Sequence, residues 1–150
     1  MAKFIYRMQN ILNIKERLET QAKTEFAQMT LALNKEEDIM RSLVSRMRAY
    51  EDEIRALSGK KINVNEMKRS NEAVRIIKEQ IAGQAVRIKV AERNLNMARA
   101  KLGEAVQDRK IQEKLREKAF DDFKLQLNAS EMKEVDEVVS FNYNNRGTGE

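Results

Sequence analysis

Two short runs of acid, Glu36-Glu37-Asp38 and Asp121-Asp122, are where this sequence could do general acid–base work. Such work needs a carboxylate held in a concave site, with a proton affinity shifted by burial or by a close like charge. Acids on the outside of a helix stay solvated, and neither run is expected to act. The side chains that several other chemistries depend on are missing. The sequence has no His and no Cys, which removes Ser–His and Cys–His nucleophile systems, imidazole and thiolate metal sites, and disulfides. No catalytic residue, no metal site and no cofactor is assigned.

Binding chemistry is the other possibility. Arg87, Lys89, Arg93, Arg99 and Lys101 could contact the phosphates of a nucleic acid. Glu92 and Glu104 are interleaved among them, however, and no aromatic stacking platform accompanies them. A solvated helix face explains the same residues, and no nucleic-acid partner is expected. The eight Met could mark an adaptable binding surface, but for Met8, Met29 and Met47 the spacing favours packing between helices.

The elements that carry these residues are helical. Charged residues make up 35% of the chain and aromatics 5%, with no Pro and five Gly. A compact domain usually needs more turns than this composition supplies. Elongated helices joined along a narrow apolar seam fit it. In the first stretch Phe4, Met8, Ile11, Leu18, Ala22, Met29, Ala32, Ile39 and Leu43 recur at spacings of three and four, and Met47, Tyr50, Ile54 and Leu57 continue them. The step from Ile39 to Leu43 to Met47 uses two successive fours, a stutter that relaxes a left-handed supercoil. Lys15, Glu25 and Glu36 fall on seam positions and should pack less well. In the second stretch the seam is expected at Val74, Ile77, Ile81, Ala85, Ile88, Leu95, Ala98 and Leu102. It is followed by Ile111, Leu115, Ala119, Phe123 and Leu127 at four-residue steps that drift round the helix.

Between the stretches lies a stop and a start. Leu57-Ser58-Gly59 offers a left-handed C′ glycine, and Lys60 and Lys61 suit a helix C-terminus. Asn63-Val64-Asn65-Glu66 has the form of a capping box, with Ile62 and Met67 placed for a hydrophobic staple. The expected fold is all-α: a long antiparallel two-helix coiled-coil hairpin with a longer C-terminal helix. Residues 1–57 form the first helix, 58–63 the turn, 64–139 the second helix and 140–150 a flexible tail. At 1.5 Å per residue the helices would span about 80 and 115 Å. Phe4 then falls opposite the neighbourhood of Glu117, and the last stretch overhangs. That overhang carries Phe123, Leu125, Leu127, Met132, Val135, Val138 and Val139, which implies a partner or self-association. Its charge differs from the middle: residues 66–110 hold 11 Lys/Arg against 6 Asp/Glu, and residues 111–150 hold 6 against 9. No apolar run approaches the roughly 18 residues of a membrane span. Lys3, Arg7 and Lys15 without an intervening acid suit a transit peptide, but the pattern runs on past Leu18 as a coiled-coil helix would. A cytoplasmic protein is expected.

Both ends resemble the FliJ family, the coiled-coil component of the bacterial flagellar type III export apparatus. Phe4-Ile5-Tyr6-Arg7-Met8-Gln9-Asn10-Ile11-Leu12, followed by Lys15-Glu16, is similar to the family's opening Phe-x-aromatic-x-apolar-Gln-x-apolar-Leu, with Met8 in place of the usual Leu. Glu113-Lys114-Leu115-Arg116-Glu117-Lys118-Ala119-Phe120 resembles its Glu-Lys-Leu-Arg/Lys-Glu-Lys segment. Glu131-Met132-Lys133-Glu134-Val135-Asp136-Glu137 resembles its acidic ending. The resemblance implies a central-stalk architecture with three partners: the hexameric export ATPase, the cytoplasmic domain of the export gate, and export chaperones. It places the chain at the cytoplasmic face of the inner membrane through that apparatus. Under it, Phe4, Met8, Gln9, Leu12, Leu115, Phe120, Phe123, Met132 and Val135 face the ATPase, and Leu43, Tyr50, Ile76 and Ile77 face the gate. For Tyr50 the residues leave two readings open, packing at the hairpin tip near Ile76 and Ile77, or a partner patch. A generic coiled-coil adaptor, a self-associating rod and a basic nucleic-acid-binding rod are the alternatives.

Overall fold

A computed structural model of the chain describes residues 2–59, 61 and 63–147. It contains two helices, α1 (Gln9–Ser58) and α2 (Val64–Gly147), and no strand among the described residues. The helices contribute to two compact units, one of Met1–Glu19 with Glu104–Glu150 and one of Thr20–Gly103. In each unit they pack side by side and run antiparallel. Within the first, Phe4 meets Phe123, Tyr6 meets Gln112 and Lys15 meets Asp108. Within the second, Glu25 meets Lys101 and Glu36 meets Gln84. The fold is the expected all-α helical hairpin.

The ends of the helices differ from expectation in instructive ways. Residues 2–6 are not helical, and α1 begins at Gln9, where Met8 O accepts from Ile11 N at 3.0 Å and Leu12 N at 3.1 Å. An extended residue advances the chain by more than twice a helical one, and this stretch carries Phe4 and Tyr6 across to α2. At the other end α2 continues past Val139 to Gly147. Asn is a weak helix former, but each costs only tenths of a kcal/mol, no proline intervenes, and Arg146 lies in the last turn, where it complements the helix dipole.

The turn is capped largely as its residues suggest. Asn63 is the N-cap of α2: its O accepts from Met67 N at 3.1 Å and its Oδ1 accepts from Asn65 N at 3.2 Å. Glu66 stands in the first turn. The left-handed glycine is not used, because Gly59 has no positive φ. Ser58 Oγ instead donates to Arg55 O at 2.8 Å and closes the last turn of α1. Lys60 and Ile62 lie outside the described residues, so the staple has only its Met67 half on view.

Burial gives the true phase of the seam. In the second unit Ala22, Phe26, Met29, Leu33, Glu36, Met40, Leu43, Met47, Tyr50, Ile54 and Leu57 are buried or half-buried on α1. On α2 the matching set is Met67, Ser70, Val74, Ile77, Ile81, Gln84, Ile88, Ala91, Leu95, Ala98 and Leu102. Both series alternate steps of four and three without a break, so the expected stutter is absent. Leu33 and Met40 hold the places given to Ala32 and Ile39. In the first unit the seam residues on α1 are Leu12, Lys15 and Glu19, one position beyond the expected Ile11 and Leu18. Ile111 and Leu115 are exposed and off the seam, while Ala119, Phe123 and Leu127 are half-buried on it.

One polar layer fixes the register of the second unit. Gln84 is buried, and its Nε2 donates to Glu36 O at 2.9 Å and to Glu36 Oε2. Counting whole heptads from this pair puts Leu43 level with Ile77, Tyr50 with Ser70, Met29 with Ala91 and Ala22 with Ala98. Tyr50 and Met29 thus stand against small residues, while Leu43 meets Ile77 and Ala22 meets Ala98. Tyr50 is level with the buried Ser70, not with Ile76 or Ile77. The phase makes a sharp prediction for two neighbours, since Ile77 is 3% exposed and Ile76 44%. Ile77→Ala should cost about 2–5 kcal/mol and Ile76→Ala no more than about 0.5 kcal/mol, measured by urea unfolding followed by circular dichroism.

Candidate functional site

The first unit gathers several of the residues singled out above. The extended lead lays the Phe4 ring edge-on to Phe120, centroids 5.1 Å apart at 66°, and tilted against Phe123 at 5.5 Å and 49°. Both separations lie in the favourable range for aromatic pairs. Phe120 and Phe123 are three apart on α2 and so share a face. The Lys124 ammonium stands 4.7 Å from the Phe120 centroid. Tyr6 donates its hydroxyl to Gln112 Oε1 at 3.2 Å. Leu12 is buried beneath, and with Phe4, Phe120 and charged residues it lines an open cleft of about 490 Å³.

Below the ring cluster is an ionic layer. Glu19 is buried, and its Oε2 pairs with Arg109 Nε, while Arg109 Nη1 donates to Glu113 Oε1 at 2.9 Å. The Glu113 hydrogen bond raises the guanidinium pKa most; burial opposes it and Glu19 adds to it, so Arg109 stays charged. Lys15 Nζ lies 3.6 Å from Asp108 Oδ2 on the same layer.

Of the residues assigned to the ATPase, the structure brings Phe4, Leu12, Phe120 and Phe123 together. Gln9 is half-buried and its Nε2 donates to Asn13 Oδ1 at 3.0 Å; Met8 is exposed where α1 begins. Leu115 is exposed on another face of α2. Met132 and Val135 are apart from the cluster: the last half-buried residue is Leu127, and every residue from 128 to 147 is exposed. That stretch is one helix bearing Met132, Val135, Val138, Val139, Phe141 and Tyr143 on its surface. Phe141 and Tyr143 were missed in the sequence because the asparagines around them read as a tail. Glu19 and Arg109 were missed because a charged pair carries no apolar signal; only their heptad positions could have found them.

The four residues assigned to the gate split in two. Leu43 and Ile77 are buried in the seam and support the surface from beneath, whereas Tyr50 is half-buried and Ile76 exposed. Beside Ile76, Arg75 donates to Glu72 at 3.1 and 3.2 Å through Nε and to Glu79 at 2.7 Å through Nη1. The Arg75 hydrogen bond holds the Glu72 carboxyl below its ordinary pKa. The acid runs do no shared work: Asp38 pairs with Arg41, Glu36 holds Gln84, and Asp121 and Asp122 are exposed. Among the described residues no group of three or more acids could hold a metal ion, and no helix is long and apolar enough to cross a membrane.

Two helices zipped by a heptad seam, with open clefts and a bare apolar end, define a coiled-coil hairpin. The family model of the flagellar FliJ protein matches residues 4–148. The chain belongs to the FliJ family and is a flagellar export-related coiled-coil protein. No curated protein and no solved structure matches it.

The buried pair predicts a non-additive response. Glu19→Gln or Arg109→Gln alone should lower the melting temperature by several degrees, because the first removes one of the two carboxylates on Arg109 and the second takes the guanidinium from the buried Glu19. Replacing both with Leu should restore or raise it. Circular dichroism melts of the three variants and the parent give the comparison.

Proposed function

We propose that this chain is the central-stalk and coupling component of the flagellar type III export apparatus, a non-enzymatic part that binds the hexameric export ATPase, the cytoplasmic domain of the export gate, and export chaperones. In this reading it works at the cytoplasmic face of the inner membrane, held there by the apparatus. The observation that carries the reading is the bare end of α2. A helix this exposed gains little from its own propensity in water, yet Met132 is 69% and Val135 59% exposed. Such side chains on an otherwise charged helix mark a site that another protein covers.

The ring cluster and the bare helix divide the work. Phe4, Phe120 and Phe123 shape the surface at the start of α1, and Leu12 supports it from below. Met132 and Val135 are three apart and Val139 four further on, so they form one stripe for the ATPase. Glu131, Glu134, Asp136 and Glu137 lie around that stripe and favour a basic contact surface on the partner. For the gate, Tyr50 and Ile76 are the accessible members of the assigned four.

The Met132→Ser/Val135→Ser variant should bind the export ATPase at least about tenfold more weakly, with unchanged helicity because neither residue packs within the chain. Phe123→Ser should also weaken binding, together with a lower melting temperature, because Phe123 carries the Phe4 ring. Co-purification with the ATPase that survives the double change removes the assignment. Light scattering that finds a dimer at every concentration would instead favour self-association through the same stripe.

A further inference from the structure

We propose that the outer face of α2 between Val86 and Ala100 docks an acidic amphipathic helix of a partner protein. The inference stands apart from the ATPase and gate assignments. Val86 and Val90 are one turn apart and Met97 is one heptad beyond Val90, so the three share a stripe. They are 61%, 50% and 56% exposed. The seam on this stretch runs through Gln84, Ile88, Ala91, Leu95 and Ala98, and at about 100° per residue the stripe turns away from it. The same helix therefore has one apolar face used against α1 and a second left bare.

The cations beside the stripe say what covers it. Residues 83–101 contain five Lys/Arg and a single acid, Glu92. Two of the five are engaged with α1: the Arg99 guanidinium lies 5.9 Å from the Phe26 centroid, and Lys101 Nζ is 3.6 Å from Glu25 Oε1. Arg87, Lys89 and Arg93 make no ion pair with any described residue. A helix with apolar residues on one side and carboxylates at its edges meets both needs at once. Open clefts of about 280 and 510 Å³ run along the stripe, the first bounded by Met29 and Ala32 of α1, the second by Lys89, Arg93 and Met97. They offer room for the side chains of a third helix. A phosphate backbone would neutralise the cations but leave Val86, Val90 and Met97 in water. A lipid surface would cover the stripe but would not fill the clefts.

The test uses the full chain and a fluorescein-labelled three-heptad helical peptide with Leu at its a and d positions and Glu alongside them. Its Lys counterpart and a scrambled acidic peptide are the controls. Anisotropy should rise for the acidic amphipathic peptide alone. Val90→Ser/Met97→Ser should weaken that binding at least about tenfold with unchanged circular dichroism. Lys89→Gln/Arg93→Gln should weaken it and flatten its dependence on salt. Failure of the acidic peptide to bind, or equal binding by the Val90/Met97 variant, overturns the proposal. So does preferential binding of mixed-sequence RNA or of phosphatidylserine vesicles that is lost in the same variants.

Discussion

The alternation of three and four residues along both helices is the constraint on which the rest of this structure depends. Two helices alone can bury only a narrow strip, and among the described residues no large side chain is wholly enclosed. Most seam residues are therefore only half-buried, and stability is spread along the strip instead of being concentrated in a core. Any break in the spacing would turn the following residues away from the partner helix. In the second unit neither helix breaks it. Small residues at Ser70 and Ala91 leave room for the larger Tyr50 and Met29 level with them.

A half-open seam also explains why so many of its members are polar. Glu19, Glu36, Gln84, Arg109 and Gln112 would be costly in an enclosed core. At the edge of two helices their stems pack while their polar ends find one another. An apolar seam alone does not distinguish one heptad shift from the next, since sliding by seven residues sets similar side chains together. The polar layers do distinguish them: Gln84 meets Glu36 in one register, and Glu19 meets Arg109 in one register. Leaving Gln84 buried without its acceptors would cost about 1–3 kcal/mol.

Much of this was legible in the sequence, and the parts that were not have a common cause. The absence of Pro, the Asn63 cap and the spacing of Ile77, Ile81 and Ile88 suffice for two antiparallel helices. The contrast between Ile76 and Ile77 also follows from spacing. The phase at Leu12 and Glu19 does not, because an apolar pattern prefers Ile11 and Leu18, and the polar layers mask the correct positions. The supposed stutter has the same origin: Ile39 is the stronger apolar residue, but Met40 occupies the seam. The Phe4–Phe120–Phe123 cluster depends on residues 2–6 leaving the helix, which their composition does not announce. The bare end of α2 was visible as apolar residues without a facing partner, although Asn142, Asn144 and Asn145 hid its full extent.

The economy of the seam bears directly on how one hairpin can carry the several contacts proposed for it. A heptad uses two of its seven positions for pairing, so most of each helix remains available for recognition. Where outer positions are charged and paired locally, as Arg75 is with Glu72 and Glu79, the helix presents a solvated face. Where they are apolar, as at Met132 and Val135 or at Val86 and Val90, it presents a bare apolar surface. The surfaces proposed for partners lie on such outer positions, which leaves the folding signal and the binding signal on different residues of the same helix. A side chain there can change its partner without disturbing the register, because the residues that set the register, Glu36 with Gln84 and Glu19 with Arg109, lie in the seam.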